Sequence, residues 1–189
     1  MKTLLEFDSP QIYCDMDGVL ADFEKAIIDQ IGGKFNDNRW QELPDDFFLN
    51  MEPMPDAKKL WGFIGKYDPF ILTATPRSSR GPIAARAAED KTKWMKRWFG
   101  VSSDRMYPVM RKNKANFAMD GRDKRPNLLI DDHLGNIQEF RKARGIGVHH
   151  TSASNTIKQL KEIGYKCCLL YTSDAADEGL GVDLGGRRI

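Results

Sequence analysis

Short apolar runs recur along the chain, each closed by polar or glycine-rich residues. Between them lie longer stretches whose apolar residues fall three and four apart. Gln11 to Cys14, Pro69 to Ala74, Arg105 to Met110, Asn127 to Ile130 and Gly145 to His149 read as strands. Ala21 to Ile31 has helical spacing through Phe23, Ile27, Ile28 and Ile31, and Gly32-Gly33 stops it. Ala57 to Tyr67 sets Leu60, Phe63 and Ile64 on one helical face, and Arg80 to Phe99 is a long helix closed by Gly100. Gly135 to Lys142 and Ser154 to Ile163 complete the helices, the last ended by Gly164. Strands alternating with helices predict an α/β fold with a five-stranded parallel sheet covered on both faces. The alternation breaks between the first two strands, where about fifty residues do what a simple crossover needs far fewer to do. Part of this stretch, Lys34 to Pro55, is irregular and rich in aromatics, aspartate and proline. Residues 23–67 are therefore expected to form a small helical cap inserted after the first strand. Residues 1–22 and 68–166 make the core.

Composition narrows the setting. The 189 residues suffice for one domain with a proper core and a small insertion. A formal charge of +2 supplies no strong field to draw a nucleic acid or an anionic membrane. No apolar run is long enough to span a bilayer, and the acidic residues soon after Lys2 do not suit a secretory signal. Adjacent Cys167 and Cys168 are poor disulfide partners, and with Cys14 they have no zinc spacing, so a reducing, cytoplasmic location is expected. From Cys168 the chain reads CLLYTSDAADEGLGVDLGGRRI, which resembles the conceptual translation of a sequencing adaptor. Residues 167–189 are thus expected to be a non-native flexible tail, with the natural C-terminus missing. The tail's four acids and two bases leave the preceding body nearer +4.

The strongest chemical signal is Asp15-Met16-Asp17-Gly18-Val19-Leu20-Ala21-Asp22. Two acids one residue apart, just past a buried strand, sit at the carboxyl end of the sheet, where open α/β sheets bind ligands. Gly18 permits the sharp departure of the chain. Two such carboxylates repel unless they share a cation, although a turn pair or a calcium loop also uses this spacing. Asp131-Asp132 ends the Asn127 to Ile130 run, and charges there are costly unless paired or metal-bound. Asp132 could instead cap the following helix. If that strand lies beside the first, Asp15, Asp17, Asp131 and Asp132 converge in an oxygen-rich site suited to magnesium. In Phe70 to Pro76 a strand ends in Thr73, Ala74 and Thr75, whose hydroxyls and amides could hold phosphate oxygens, though threonine also simply favours strands. After the third strand, Lys112 and Lys114 are candidates to stabilise phosphoryl charge, Lys114 ahead of Lys112 and Arg111 in competition. Lys91 and Trp94 read as packing or solvent-facing residues. His133 lies beside the acids in position to support them, and His149 and His150 need no role.

In this order, the four parts resemble the four motifs of the haloacid dehalogenase (HAD) superfamily over residues 10–166. DMDG matches the first motif, Thr73 the second, Lys114 or Lys112 the third, and LLIDD the fourth. A narrower resemblance is carried by DMDGVLADF, FFLNMEPMPDAKKL, FILTATP, DKTKWMKRWFG and LLIDDH. These segments are similar to those of the 5′(3′)-deoxyribonucleotidase family and its phage and bacterial relatives. Asp56 stands where that family's PMPGA run has glycine, at a helix start where aspartate caps well. The resemblance implies a Rossmann-like core and a magnesium-dependent phosphomonoester hydrolase. Asp15 would be the nucleophile that forms an aspartyl phosphate, and Asp17 the acid and then the base. Thr73 and the lysine would clamp the phosphate. Magnesium would be held by Asp15, the Asp17 main-chain carbonyl and one of the final acids, Asp132 ahead of Asp131. The implied substrates are deoxyribonucleoside monophosphates. Phe23, Trp40, Phe47 and Phe48 are candidates to stack on a base, although each ring read singly suits the core of a cap first. Ala74 and Lys112 are further candidate substrate contacts, and a homodimer is compatible with this reading. Another small phosphate ester, a nucleic-acid 3′-phosphate and a non-catalytic nucleotide-binding module are the alternatives.

Overall fold

The computed structural model describes residues 9–166. The expected tail at 167–189 lies outside the described residues. Five strands, β1 (Ile12–Cys14), β2 (Phe70–Ala74), β3 (Met106–Val109), β4 (Leu128–Asp131) and β5 (Ile146–His149), form one parallel sheet in the order β3-β2-β1-β4-β5. The helices are α1 (Phe23–Ile31), α2 (Ala57–Ile64), α3 (Pro82–Phe99), α4 (Leu134–Lys142) and α5 (Ala153–Ile163). The protein is thus an α/β fold with a Rossmann-like sheet, as the alternation of elements predicts.

Side chains alternate across each strand, and that sorts the core into two layers. Ile12 and Cys14 of β1, Ile71 of β2, and Leu128 and Ile130 of β4 point to one face. There they meet Ile27 of α1, Leu60 of α2, Ala87 of α3 and Leu160 of α5. Tyr13, Leu72 and Leu129 point to the other face, covered by Ile137 and Phe140 of α4. Both faces are buried, so the strands are continuous apolar runs without polar alternation.

From β1 the chain moves outward to β2 and β3, then returns to the opposite side of β1 for β4 and β5. The direction of winding therefore reverses between β1 and β4, where Cys14 pairs with Ile130. Such a reversal opens a crevice beyond the strand ends, since successive connections leave to opposite sides. The acids at the ends of β1 and β4 stand at that crevice.

The segment between β1 and β2 contains α1, α2 and short 3-10 turns at Trp40–Glu42 and Phe47–Leu49. Phe47, Phe48, Leu60 and Ile64 join the same apolar cluster as Ile12 and Cys14. The Trp94 indole on α3 donates to the Met51 carbonyl at 2.7 Å, tying the segment to the long helix. Asp56 precedes α2 but makes no cap bond to it. Its Oδ2 instead accepts the amide of Ala153, the first residue of α5, at 2.6 Å. The expected local cap is thus a long-range one, holding α2 against α5. Among the described residues no helix is long and apolar enough to cross a membrane.

Candidate active site

The backbone amide of Asp15 continues the ladder by bonding the Ile130 carbonyl at 2.8 Å, so the acid is held as rigidly as the strand. The chain then turns on the Met16 carbonyl, which accepts the amides of Leu20 and Ala21 at 2.8 and 2.9 Å. Gly18 has φ of +72°, and a Cβ there would lie 2.2 Å from Asp132 Oδ2. Backbone conformation and close approach both demand glycine at this position. Asp132 therefore packs its carboxylate against the loop that carries Asp15 and Asp17.

Lys114 connects the two strand ends. It is buried on a 3-10 turn over Arg111–Phe117, and its Nζ lies 2.6 Å from Asp15 Oδ2 and 2.7 Å from Asp131 Oδ2. Lys112, on the same turn, is exposed and is not brought to the acids. The other oxygen of Asp15, Oδ1, accepts the Met16 amide at 2.8 Å. Asp131 is saturated: Oδ1 accepts the His133 amide at 2.8 Å, and Asn136 Nδ2 donates to both oxygens at 3.0 and 2.9 Å. His133 supports the acids through this amide. His149 meets the Asp132 carbonyl at 2.9 Å, and His150 pairs with Thr156 inside the fold.

A second lysine, read from the sequence as packing or solvent-facing, packs and adds an ion pair the sequence reading did not include. Lys91 does not face solvent: it is fully buried, and its Nζ lies 2.5 Å from Asp17 Oδ2. It also donates to Thr73 Oγ1 at 3.0 Å and to the Ala74 carbonyl at 2.7 Å. Its ammonium stands 4.5 Å from the centre of the Phe48 ring. The signal was present in the chain, because Lys91 falls in phase with the buried stripe of Ile83, Ala87 and Trp94. A charge on the apolar face of a helix needs a buried partner.

The four candidate aromatics separate. Phe47 and Phe48 are buried and pack edge to face, with centroids 5.3 Å apart, so both serve the core. Phe23 and Trp40 are half-buried, and each packs against Phe35 at 5.8 and 4.8 Å. Trp40 also donates to Asp37 at 2.9 Å, and Asp37 pairs with Arg80 on the loop after β2.

The electrostatics are those of a crowded acidic centre. Burial, opposed by Lys114, pushes Asp15 up to about 6. Asp132 keeps an exposed edge, yet desolvation of its carboxyl group and the charges of Asp15 and Asp131 push it up to about 7. Asp17 is also raised by burial, against the pull of Lys91. When fully ionised, four carboxylates face two ammonium groups with a surplus of two negative charges. Carboxylate oxygens of Asp15, Asp131 and Asp132 lie within 4.8 Å of one another, and Asp17 Oδ1 is buried with no hydrogen-bond partner. An all-oxygen set with this surplus fits a hard divalent cation such as magnesium.

No protein-family model matches the chain. A solved structure of a hydrolase from Streptococcus pneumoniae TIGR4 superposes with a TM-score of 0.48 at 12% identity, covering 80% of this chain and 98% of that one. In sequence, the chain is similar to a protein of Vibrio phage KVP40 provisionally named a 5′(3′)-deoxyribonucleotidase. The two are 29% identical over 132 residues, which cover 68% of this chain and 69% of that protein.

Proposed function

We propose that the protein is a hydrolase of the HAD phosphatase type, a magnesium-dependent 5′-nucleotidase acting on deoxyribonucleoside monophosphates. The observation that carries this reading is the convergence of Asp15 and Asp17 with two buried lysines and the β4 acids at the reversal of the sheet. Similarity to the phage protein supports the choice of substrate.

In this reading an Asp15 oxygen attacks phosphorus, and the bond from phosphorus to the ester oxygen breaks. Asp17, in the protonated form that burial favours, gives its proton to the departing alkoxide. The Asp17 carboxylate then takes a proton from water, whose oxygen attacks the aspartyl phosphate. The bond to Asp15 breaks and inorganic phosphate leaves. Lys114 holds Asp15 in place and offsets charge on the phosphoryl oxygens. Thr73 and Lys91 stand on the β2 side to position the phosphate and Asp17. Asp15, Asp132 and the Asp17 main chain would hold magnesium, which when bound neutralises phosphate charge and orients the reactants. Phe23 and Trp40 are the rings left to stack on a base.

The test is phosphate release from a panel of nucleoside monophosphates, sugar phosphates and 3′-phosphorylated oligonucleotides, with and without magnesium. Release strongest on deoxynucleotides, lost without magnesium and reduced at least about a thousandfold in Asp15→Asn, is expected. Strongest release from another ester would move the substrate. A folded protein inert on the whole panel would sink the reading in favour of a binding module.

A further inference from the structure

Asp131 is an acid whose every lone-pair direction is used. A carboxylate accepts about four hydrogen bonds, and four contacts reach Asp131 from three donors: the His133 amide, Lys114, and Asn136 twice. Both Asp131 and Asn136 are buried. Asn136 must present its amide nitrogen here, because its carbonyl oxygen would repel the carboxylate. The chain of contacts runs from the first turn of α4 through Asp131 to Lys114 and on to Asp15. Asp132, by contrast, has no side-chain ion pair among the described residues.

We propose that Asn136 is a positioning residue: it locks the Asp131 carboxylate so that Lys114 is aimed at Asp15 and at the phosphoryl site. Asn136 touches no substrate. Its effect passes wholly through Asp131, and the cation is left to Asp15 and Asp132. The inference rests on the hydrolase reading for its functional meaning, but its coupling is measured without turnover.

Inorganic phosphate binding to the magnesium-loaded full chain, followed by calorimetry, tests it. Asn136→Ala should weaken phosphate binding about tenfold, the usual scale for an outer partner. Magnesium affinity of the same variant, without phosphate, should be unchanged. Asp131→Asn should weaken phosphate binding at least as much, and the double variant no more than Asp131→Asn alone, since residues in one network are non-additive. In a Lys114→Met background, Asn136→Ala should cost nothing further. Additive losses, an unchanged Asn136→Ala, or parallel loss of magnesium would each overturn the proposal. If Asn136→Ala fails to fold, Asn136→Ser, which keeps a shorter donor, enters the same cycles. A wild type that binds phosphate with closed cycles yet hydrolyses no ester keeps this inference and removes the hydrolase reading. A wild type that binds no phosphate removes both.

Discussion

Gly18 shows how one residue can be decided by two constraints at once. Its positive φ disfavours any side chain, and the space a Cβ needs is filled by the Asp132 carboxylate. Gly100 shares the positive φ, at +68°, but has nothing within 4 Å of its Cβ position. The pair separates backbone strain from site geometry. Gly100→Ala should cost roughly 1 kcal/mol of stability and leave magnesium binding alone. Gly18→Ala should cost roughly 1–3 kcal/mol and weaken magnesium binding about tenfold by displacing Asp132. Denaturant melts and a magnesium titration of both variants check this. Equal magnesium affinity in the two would show that Asp132 takes no part in holding the cation. Lys91 teaches the complementary lesson, because a buried ammonium is tolerable only beside the Asp17 carboxylate and the Ala74 carbonyl.

At the scale of elements, α2 and α5 are joined by polar contacts as well as by packing. Asp56 bonds the first amide of α5, and Lys59 reaches Ser154 Oγ at 2.7 Å. A carboxylate at a helix start both satisfies an orphan amide and favours the helix dipole. Asp56→Ala should therefore destabilise the protein by about 1 kcal/mol, lowering the melting temperature by roughly 2–4 °C. Hydrogen exchange should quicken at Ala153 and the first turn of α5, while the first turn of α2 is unchanged. Faster exchange confined to α2 would mean that Asp56 caps its own helix in solution.

For the whole molecule, the crowded acids tie stability to pH. Asp15 and Asp132 rise from the ordinary value of 3.8 to about 6 and about 7. Near neutral pH the folded, metal-free chain thus holds more protons on these groups than the unfolded chain. Their contribution is present at low pH and is lost as pH rises through about 6 and about 7. His133 and His150 are shifted downward by burial and act in the opposite sense as pH falls through their ordinary value of 6.5. With both replaced by glutamine, the window that reads the acids alone is pH 8 to 6.5. Across it, the melting temperature in chelator should rise as pH falls, and saturating magnesium should flatten the trend by taking the place of the protons. A chelated protein that loses stability over that window would contradict the crowding of the acids.

Short apolar runs alternating with stretches of period 3.6 are enough to specify strands, helices and a parallel sheet, because a strand buried on both faces and a helix buried on one are local consequences of backbone geometry. It also marks Asp15, Asp17, Asp131 and Asp132 as charges at the ends of apolar runs, since such charges need a reason to be there. Lys114 over Lys112 is a preference that the residues alone leave open. Burial on the 3-10 turn is what brings one to the acids and leaves the other outside. The buried place of Lys91, the long reach of Asp56 to α5 and the two bonds of Asn136 to Asp131 join residues 74, 97 and 5 positions apart. Such partners are chosen by how the layers pack, and electrostatic pairing inside a low-dielectric core acts between neighbours in space, whatever their separation along the chain.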